Sequence, residues 1–494
     1  MKISGDLDLL GNRLKNAAVD PRATPPPQPI PGQVYFNTAT NLLQVYTGTF
    51  WRSSEGIVED FQTIYVRSNG SDSSGDGSIE NPYHTIQRAL RNLHGKYVND
   101  TVTIDCQELA DFEGFVAHGF RVGPNGSVVI EGNHAFDTPG SCIISSIEVC
   151  SGSDLCLKNL RVNPDRGDAI LVRAGGVVHN FGVLEIDTSA NGIHCTAGRF
   201  VAEAEIRIGQ NSSPENCLHL EHGGEFIQQE KLWIKTTSRG ITAESASFRS
   251  SSEIVIDGTG DVGCGLNISN SSVDINATIT LSSLKCGIHA KASRFHHTGG
   301  LHVTAMSEYV VYLVDTAFSS HLFTLSIMQS PSVVGFFALN SDLRVFGSTI
   351  NDFTFTSSNP LVKLFHSKGY VNFDGTTITG SGAPASVFAL AKGGDLVVMA
   401  GGMLKAFNQV LSLIANATCH WIGNCEQGVT AVDTPLFSLS KGGCRLYLEE
   451  GRGAKTGTGL NLEVSPNCLV SMDSRWVWGI PDASSAVKVG IQVV

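Results

Sequence analysis

Two glutamates near the middle of the chain, Glu221 and Glu244, hold the same position relative to a short motif that recurs around them. If the motif forms neighbouring strands, their side chains stand about one strand spacing, ~4.8 Å, apart. Retaining glycosidases use two carboxyl groups roughly 5 Å apart, and inverting ones use a pair roughly 6.5–9.5 Å apart. Crowding would raise the pKa of one carboxyl and leave an acid beside a base. Glu221 and Glu244 are therefore the candidate catalytic pair.

Five further polar residues follow the same motif and are candidates for binding or polarising a sugar. They are His194, His219, Asn267, His289 and Lys291. The alternative interpretation is a solvated strand face, on which water and neighbouring cations relieve the charge of the two glutamates. The sequence leaves both interpretations open.

A metal site is also conceivable, because adjacent repeats bring His194, Cys195, Cys217 and His219 near one another. Zinc usually needs four ligand atoms that point at one centre. In the strand pattern Cys195 points inward while the two histidines point outward. The sequence therefore predicts no metal site, and nothing in it indicates a cofactor.

A block of four residues recurs twelve times between Gly167 and Ser440. The blocks are AILV at Ala169, GIHC at Gly192, CLHL at Cys217, GITA at Gly240, GLNI at Gly265, GIHA at Gly287, VVYL at Val310, FFAL at Phe336, LVKL at Leu361, VFAL at Val387, LSLI at Leu411 and FSLS at Phe437. Successive blocks begin 22–26 residues apart. A sustained period in this range indicates a solenoid or an array.

Within each block the second and fourth residues are mostly apolar, and the third is often polar. This alternation predicts a strand with one wet face. One such strand every ~24 residues, with short strands between and hardly a helical pattern, predicts an all-β parallel β-helix. Twelve coils would form a rod on the order of 55 Å long, stabilised by contacts between neighbouring coils.

Composition limits the possible partners. The chain has 494 residues and a net charge of −12, which argues against a nucleic-acid partner because such a partner needs a basic surface. No apolar run reaches 18 residues, so we expect no membrane span. The N-terminus lacks the apolar core of a signal peptide, so we expect no secretory export. The 12 cysteines form no CxxC pair and are expected to be reduced, mostly buried thiols.

Residues 1–60 do not share the repeat. A proline-rich run, PRATPPPQPIPG, precedes two alternating segments, QVYFN and LLQVYT, that predict a hairpin. The segment resembles the small N-terminal module of bacteriophage tail fibres and tailspikes in Gly32, Gln33, Tyr35, Asn37, Thr38, Leu43, Val45, Tyr46, Gly48 and Trp51. The resemblance implies that residues 1–60 attach the protein to a phage tail or baseplate protein. An ordinary small β-cap is the alternative.

Residues 64–95 resemble the opening of pectate-lyase-like β-helices, with a strand, a turn, a glycine-rich loop and a short helix. The matching residues are Tyr65, Val66, Asn69, Gly70, Ser71, Asp72, Gly77, Pro82, Thr85, Ile86 and Ala89. The resemblance implies a right-handed, single-stranded parallel β-helix whose open end is capped by residues 61–99. The resemblance says little about activity, because proteins with this fold include lyases, hydrolases and adhesins. The Arg and Asp clusters of calcium-dependent pectate lyases are not evident.

The β-helix is assigned to residues 100–460, and residues 461–494 are assigned to a C-terminal cap or trimerisation segment. In the late coils the outward third position turns apolar. This column comprises Tyr312, Ala338, Ala389, Leu413 and Leu439. An outward apolar column on a rod is usually covered by another surface. We therefore expect a homotrimer, which the tailspike resemblance also implies.

Other polar pairs are given structural interpretations. Glu185 with Asp187 and Glu203 with Glu205 alternate on single strands, as acidic residues commonly do on a strand surface. The pair His296–His297 is expected to be exposed at a corner of a coil.

Three functions remain open. The favoured one is a phage tailspike or tail fibre, made in the bacterial cytoplasm and located in the virion tail, that binds a bacterial surface glycan. The second is a depolymerase, either a glycosidase or a lyase, acting on that glycan. The third is a structural tail adaptor.

Overall fold

The computed structural model describes residues 19–479, apart from 39–41, 47, 49–50, 54–55, 59, 137–140, 213, 260–262, 322, 326–332, 347–352, 356–358, 373–377, 381–386, 408, 428–434, 455–461, 473 and 475. The described chain is all-β with almost no helix, and it winds into a parallel β-solenoid of about 12 turns. The predicted parallel β-helix is confirmed at this level. Its right-handed winding stays a prediction.

Each coil contributes strands to three columns, A, B and C, that run along the solenoid. Column A contains Phe115–Ala117, Ile147–Val149, Ile170–Arg173, Asn191–Thr196, Asn216–Glu221, Arg239–Glu244, Cys264–Ser269, Cys286–Lys291, Tyr309–Val314, Val334–Leu339, Phe437–Ser440 and Leu462–Val464. Column B contains Gln62–Tyr65, Thr101–Asp105, Ser127–Glu131, Asp154–Lys158, Val177–Asn180, Arg199–Ala202, Glu225–Gln228, Ser247–Ser250, Ser272–Ile275, Arg294–His297, Ala317–His321, Asp342–Phe346, Arg445–Leu448 and Leu469–Met472.

Column C contains ten short strands and is followed by four more. The ten are Asp111–Phe112, Ile143–Ile144, Leu160–Val162, Leu184–Ile186, Ile206–Ile208, Leu232–Thr236, Ile254–Gly258, Ile279–Ser282, Leu301–Thr304 and Phe323–Leu325, and the four are Phe353–Phe355, Ile378–Gly380, Gly451–Ala454 and Trp476–Gly479. Three long strands run through more than one column: Val362–Asn372, Val387–Phe407 and Gln409–Gln427. Parallel pairing between coils continues through Gly479.

Two small sheets lie outside the columns. Pro21–Arg22, Val34–Asn37, Leu42–Tyr46 and Trp51–Ser53 form a four-stranded sheet. Within it Val34–Asn37 and Leu42–Tyr46 pair antiparallel, which confirms the hairpin predicted from QVYFN and LLQVYT. Gly56–Val58, Lys96–Val98 and Arg121–Val122 form a three-stranded parallel sheet.

All twelve tetrapeptide blocks lie on column A. Most of their apolar residues point into the solenoid, as with Ile193, which pairs in register with Leu218 of the next coil. The glycine that begins several blocks allows close packing there. A Cβ on Gly240 would meet the carbonyl oxygen of Gly265 at 2.6 Å. The repeat in the sequence is therefore the stacking register of one face of the solenoid.

The inward phase of the late blocks differs from the prediction. Val311 pairs with Phe336, so Phe336 points inward and Phe337 points outward. Four of the five residues assigned to the outward apolar column are fully buried: Ala338, Ala389, Leu413 and Leu439. That column was therefore wrong except at Tyr312. The homotrimer stays a prediction that rests on the resemblance alone.

The corner between columns A and B has a regular construction. One non-glycine residue in the left-handed conformation, with φ between 48° and 53°, begins it in eight successive coils: Ala174, Ala197, His222, Ser245, Asn270, Ala292, Asp315 and Asn340. From Ser271 onward a hydroxyl follows it. Each hydroxyl donates to the carbonyl two residues earlier and accepts an N–H from the preceding coil, at Ser271, Ser293, Thr316, Ser341 and Ser367. These bonds fix the phase of adjacent coils.

The other two connections differ in how much their lengths vary. From Asn180 to Leu301, each connection between columns B and C has three residues. Over the same coils, the connections from column C back to column A range from two residues, 237–238, to seven, 209–215. The variable spacing of the blocks therefore arises largely in the C-to-A connections.

The helix Ile86–Arg91 covers the first strand of column A. Its buried face contains Ile86, Ala89 and Leu90, which the spacing i, i+3, i+4 places on one side of the helix. The Gln87 side-chain amide donates to Val116 O at 3.2 Å and accepts from Val116 N at 2.8 Å. The side chain thus satisfies backbone groups at an edge strand that would otherwise be open for pairing. No helix in the described part of the chain is long and apolar enough to cross a membrane.

Candidate functional site

All seven predicted site residues lie at outward positions of column A, in two neighbouring rows. One row contains His194, His219, Asn267 and His289, and the other contains Glu221, Glu244 and Lys291. Glu221 and Glu244 are register partners on adjacent strands, which is the juxtaposition that the repeat predicts. Both Glu244 and Lys291 are exposed.

The first group is a histidine–carboxylate cluster, formed by Asp168, His194, His219 and Glu221. His194 Nδ1 lies 2.7 Å from Asp168 Oδ2, and its Nε2 lies 3.2 Å from Glu221 Oε1. The rings of His194 and His219 stack with centroids 4.7 Å apart and an interplanar angle of 8°. His219 Nε2 is 4.0 Å from Glu221 Oε2. One imidazole therefore bridges two carboxylates, and a second lies over it.

The electrostatics of the cluster follow from these contacts. The hydrogen bond to Asp168 raises the pKa of His194 despite partial burial. Burial and the nearby His194 charge lower the pKa of His219. Burial alone would raise the pKa of Asp168, but hydrogen bonds from His194 and Asn191 outweigh it and lower that pKa. Near neutral pH the cluster thus favours an ionised carboxylate beside a neutral His219.

Glu221 does not behave as the crowding argument predicts. Burial would raise its pKa, but the hydrogen bond to His194 and the charges of His194, His219 and His222 outweigh burial and lower it. A glycosidase acid needs a raised pKa, so Glu221 does not show the shift that crowding would give to an acid, and the catalytic pair stays a prediction. The carboxylate is held ionised by the imidazoles beside it.

A chain of amide and hydroxyl groups supports the cluster. Asn191 Nδ2 donates to Asp168 Oδ1 at 2.7 Å, and Asn216 Nδ2 donates to Asn191 Oδ1 at 2.8 Å. The buried Thr242 hydroxyl then donates to Asn216 Oδ1 at 2.8 Å. Each bond joins adjacent coils, so the position of Asp168 is fixed by several strands of column A.

The second group lines a groove of about 850 Å³ at the boundary between column A and the C-to-A connections. Its lining residues are Thr237, Ser238, Arg239, Gly263, Cys264, Asn267, Lys285, Cys286, His289, Glu308, Tyr309 and Tyr312. His289 Nδ1 lies 3.0 Å from Asn267 Oδ1, and Lys285 Nζ lies 3.0 Å from Glu308 Oε1. The groove therefore has charges of both signs at its wall, beside the rings of Tyr309 and Tyr312.

Aromatic rings continue the row beyond the groove. His289 meets Tyr312 edge-on at 5.1 Å, and Tyr309 meets Tyr312 edge-on at 4.9 Å. Tyr312 stacks on Phe337 with centroids 4.7 Å apart and an interplanar angle of 5°. Phe337 in turn meets Phe365 at 5.7 Å. All of these side chains are half-buried, so part of each ring faces solvent.

The sequence reasoning missed the residues that complete both groups. Asp168 lies just before a block, where the motif gives no signal, although its spacing from Asn191 matches one coil. Tyr309 and Glu308 likewise precede a block, where the motif gives no signal. The pattern of inward second residues would place Phe337 in the core, but every residue of FFAL is apolar or small, so the block itself does not reveal its phase.

Two other expectations change with the structure. Glu185 and Asp187 are buried rather than on an open strand surface, and Arg161 and Asn211 contact both. Glu185 and Asp187 thus join their coil to the two neighbouring coils through these polar contacts.

His297 is fully buried instead of exposed at a corner. Its Nδ1 lies 2.9 Å from Ser320 Oγ and its Nε2 lies 2.9 Å from Ala277 O. The sequence did not indicate this inward position, because a histidine on a strand is normally predicted to face solvent.

The cysteines near the cluster point away from it. Cys195 and Cys217 are fully buried inside the solenoid, and burial raises the pKa of both thiols, that of Cys217 to about 12. Glu221 instead joins the two histidines. One donor atom each from His194, His219 and Glu221 lie within 4.8 Å of one another.

Comparison with known proteins does not identify the chain. No protein-family model matches it, and no curated protein matches it in sequence. Among solved structures it is similar to the selenomethionine derivative of a GH136 lacto-N-biosidase from Eubacterium ramulus, with a TM-score of 0.21 and 10% identity. That match covers 84% of this chain and 67% of the other. A TM-score this low supports no conclusion about fold or function.

Proposed function

We propose that this chain binds a polysaccharide along the outward face of column A, with the groove at Asn267, His289 and Tyr312 as the main contact. The observation that carries the proposal is the combination of a groove of about 850 Å³ with half-buried aromatic rings that continue from it along the solenoid. An extended ligand fits an extended row of equivalent positions, one per coil.

The chemistry of the groove suits a sugar chain. Ligand sites combine apolar and aromatic surface with a few placed polar groups that fix orientation. Tyr309 and Tyr312 supply ring faces and hydroxyls, and the imidazole of His289 and the amide of Asn267 supply donors and acceptors. Burial lowers the pKa of His289, so its ring is neutral and able both to donate and to accept near neutral pH.

Binding is favoured over cleavage. The candidate catalytic pair consists of Glu221, whose carboxylate is held ionised by His194, and the exposed Glu244. A glycosidase needs a buried acid of raised pKa to protonate its leaving group, whereas the pKa of Glu221 is lowered and Glu244 is exposed to solvent. Depolymerisation remains the second candidate because the two carboxylates do face the same side on adjacent coils.

The biological setting extends this proposal. We infer from the N-terminal resemblance that residues 1–60 anchor the chain to a phage tail or baseplate protein, and that the ligand is a bacterial surface glycan. A homotrimer, with residues 461–494 as its C-terminal trimerisation segment, belongs to the same inference. Sedimentation equilibrium of the full chain tests it, and a monomer at micromolar concentration would contradict the trimer.

A binding experiment tests the ligand class. We expect immobilised capsular or lipopolysaccharide glycans from candidate hosts to retain the purified chain, and Tyr312→Ala to weaken retention by more than about 1 kcal/mol, roughly fivefold or more. Trp233→Ala is the matched control, because Trp233 is a partly exposed aromatic on column C. Equal loss in both variants would contradict a site in the groove.

The same samples separate binding from cleavage. New reducing ends, or absorbance from an unsaturated uronate, would show a depolymerase. Loss of that activity in Glu221→Gln/Glu244→Gln would assign it to this pair, whereas unchanged turnover would place it elsewhere. The absence of binding to every surface glycan tested would favour the structural adaptor.

A further inference from the structure

We propose that His194, His219 and Glu221 form a binding site for one divalent transition-metal ion of the zinc class on the outward face of column A. Two imidazoles and one carboxylate are the donor set that such ions accept in proteins. This site is separate from the groove, because Thr242, which is buried, lies between His219 and Asn267 in the row.

The distances suit a shared ion. With metal–ligand bonds of about 2.0–2.2 Å, tetrahedral geometry places neighbouring ligand atoms about 3.3 Å apart. His194 Nε2 and Glu221 Oε1 are 3.2 Å apart across a hydrogen bond, so a bound ion would take the place of the proton between them. The His219 donor completes a set that spans at most 4.8 Å. Because the two imidazole rings stack at 8°, closing that gap requires the His219 ring to tilt out of the stack toward Glu221.

Asp168 supplies the outer support that metal-binding histidines usually have. Its Oδ2 lies 2.7 Å from His194 Nδ1, so it accepts the proton there and directs Nε2 toward Glu221. Carboxylates in this position fix the tautomer and orientation of a liganding imidazole. Asp168 is itself held by Asn191 at 2.7 Å, and the chain of bonds continues into the next coils. The arrangement is more ordered than a chance meeting of surface side chains.

His219 has a ring nitrogen that nothing else in the described chain uses. Its Nδ1 is buried and has no hydrogen-bond partner. No bond therefore fixes its tautomer, and the ring is free to present a lone pair to an ion. The three ligand side chains keep 15%, 19% and 25% of their surface exposed, so an ion is reachable from solvent. Three protein ligands would leave at least one coordination position open.

The ion class follows from the donors. Mg²⁺ and Ca²⁺ prefer oxygen ligands in sets of six or more, whereas imidazole nitrogen suits Zn²⁺, Co²⁺, Ni²⁺ and Cu²⁺. Only one of the three donors here is a carboxylate. We therefore expect Zn²⁺ and its spectroscopic substitute Co²⁺ to bind, and Mg²⁺ and Ca²⁺ not to compete with them.

Titration of the full-length chain, stripped with a chelator and then dialysed, tests the site. We expect one equivalent of Zn²⁺ by calorimetry, and one equivalent of Co²⁺ with the visible absorption of a low-coordinate ion. Glu221→Gln and His219→Ala should each abolish that absorption. Asp168→Asn should bind more weakly by about 10–100-fold, because outer partners typically contribute that much.

His179→Ala is the matched control, since His179 also lies between carboxylates, at 2.8 Å from Glu203 and 3.9 Å from Asp154, but has no second histidine. It should bind Co²⁺ as the unchanged chain does. Circular dichroism confirms that each variant keeps its strand content, and Glu221→Gln preserves side-chain shape. No stoichiometric binding by the unchanged chain, or equal binding by Glu221→Gln, would overturn the proposal. Either result would leave glycan retention by the groove unaffected, so the two proposals fail separately.

Discussion

Two stacks of aromatic rings run along this solenoid, one inside column B and one outside column A. Inside, Phe226 stacks on Phe200 at 5.3 Å and on Phe248 at 5.7 Å, with interplanar angles of 11° and 9°. Outside, Tyr312 stacks on Phe337 at 4.7 Å and 5°. The geometry is nearly the same because both are imposed by the spacing of register-paired strands.

The difference lies in what surrounds the rings. The inner phenylalanines are fully buried, so both faces of each ring contact other side chains. The outer rings are half-buried and keep some surface for a ligand. Ring stacking by itself therefore says nothing about function in a β-solenoid. Burial separates a stack that stabilises the fold from one that is able to bind.

The largest expected effect is on the inner stack. Phe226→Ala should lower the local stability of its coil and the two adjacent coils by about 3–5 kcal/mol, because it removes a buried ring and leaves a cavity. Amide hydrogen exchange of peptides from residues 199–250 measures this as faster opening. Coils far along the rod should be unaffected, since each coil contacts only its neighbours. A loss below about 1 kcal/mol would contradict the assignment of this stack to stability.

The inside of column B also contains a titratable group. Burial lowers the pKa of His297 to about 4, and the charges of His296 and His321 add to the lowering. Because the pKa of His297 in the folded chain lies below the ordinary histidine value of 6.5, the unfolded chain binds more protons between these two values. Stability from this residue should be complete above pH 6.5 and should fall by about 3 kcal/mol as the pH approaches 4.

Hydrogen exchange in the coil of His297 at pH 7 and pH 4.5, corrected for intrinsic exchange, measures that loss. His297→Gln removes the titration and should flatten the pH dependence there. His289, on the outward side of the same coil, gives the matched comparison as His289→Gln. If both variants changed the pH dependence of local stability equally, burial inside the solenoid would not explain the effect of His297.

The smallest expected effect on stability is on the outer stack. Phe337→Ala should destabilise its coil by about 1 kcal/mol, the typical contribution of an aromatic pair beyond burial. Hydrogen exchange of residues 309–339 is again the measurement. A cost equal to that of Phe226→Ala would mean that the outer stack also serves as core, and would weaken its proposed role in binding.

The sequence is sufficient to predict the parallel β-solenoid, but it does not predict the direction in which every side chain points. The blocks at Gly192, Gly240 and Gly287 show their phase because a polar residue or a small one separates their apolar residues. The block FFAL at Phe336 does not show its phase. If the inward positions are assigned one residue too late, every side chain is placed on the opposite face of the strand. That shift produced the erroneous apolar column and hid the outer aromatic stack.

The candidate site was predictable only in part for a related reason. The period aligns His194 with His219 and Glu221 with Glu244, since the histidines lie inside the blocks and each glutamate directly follows one. Asp168 instead precedes a block, and its contact with His194 depends on a side-chain direction that spacing does not encode. Likewise, the lowered pKa of Glu221 follows from neighbours in another row.

The unequal lengths of the C-to-A connections have a consequence for how this rod could change its ligand. Thr237, Ser238, Lys285 and Glu308 belong to those connections and form one wall of the groove, while the opposite wall belongs to strands locked in register. Residues can be added to or removed from that wall without moving the strands of columns A, B and C. In the proposed glycan-binding function, recognition would be modular, and grafting a longer connection at 237–238 should change the glycan bound while the backbone ladder stays as it is.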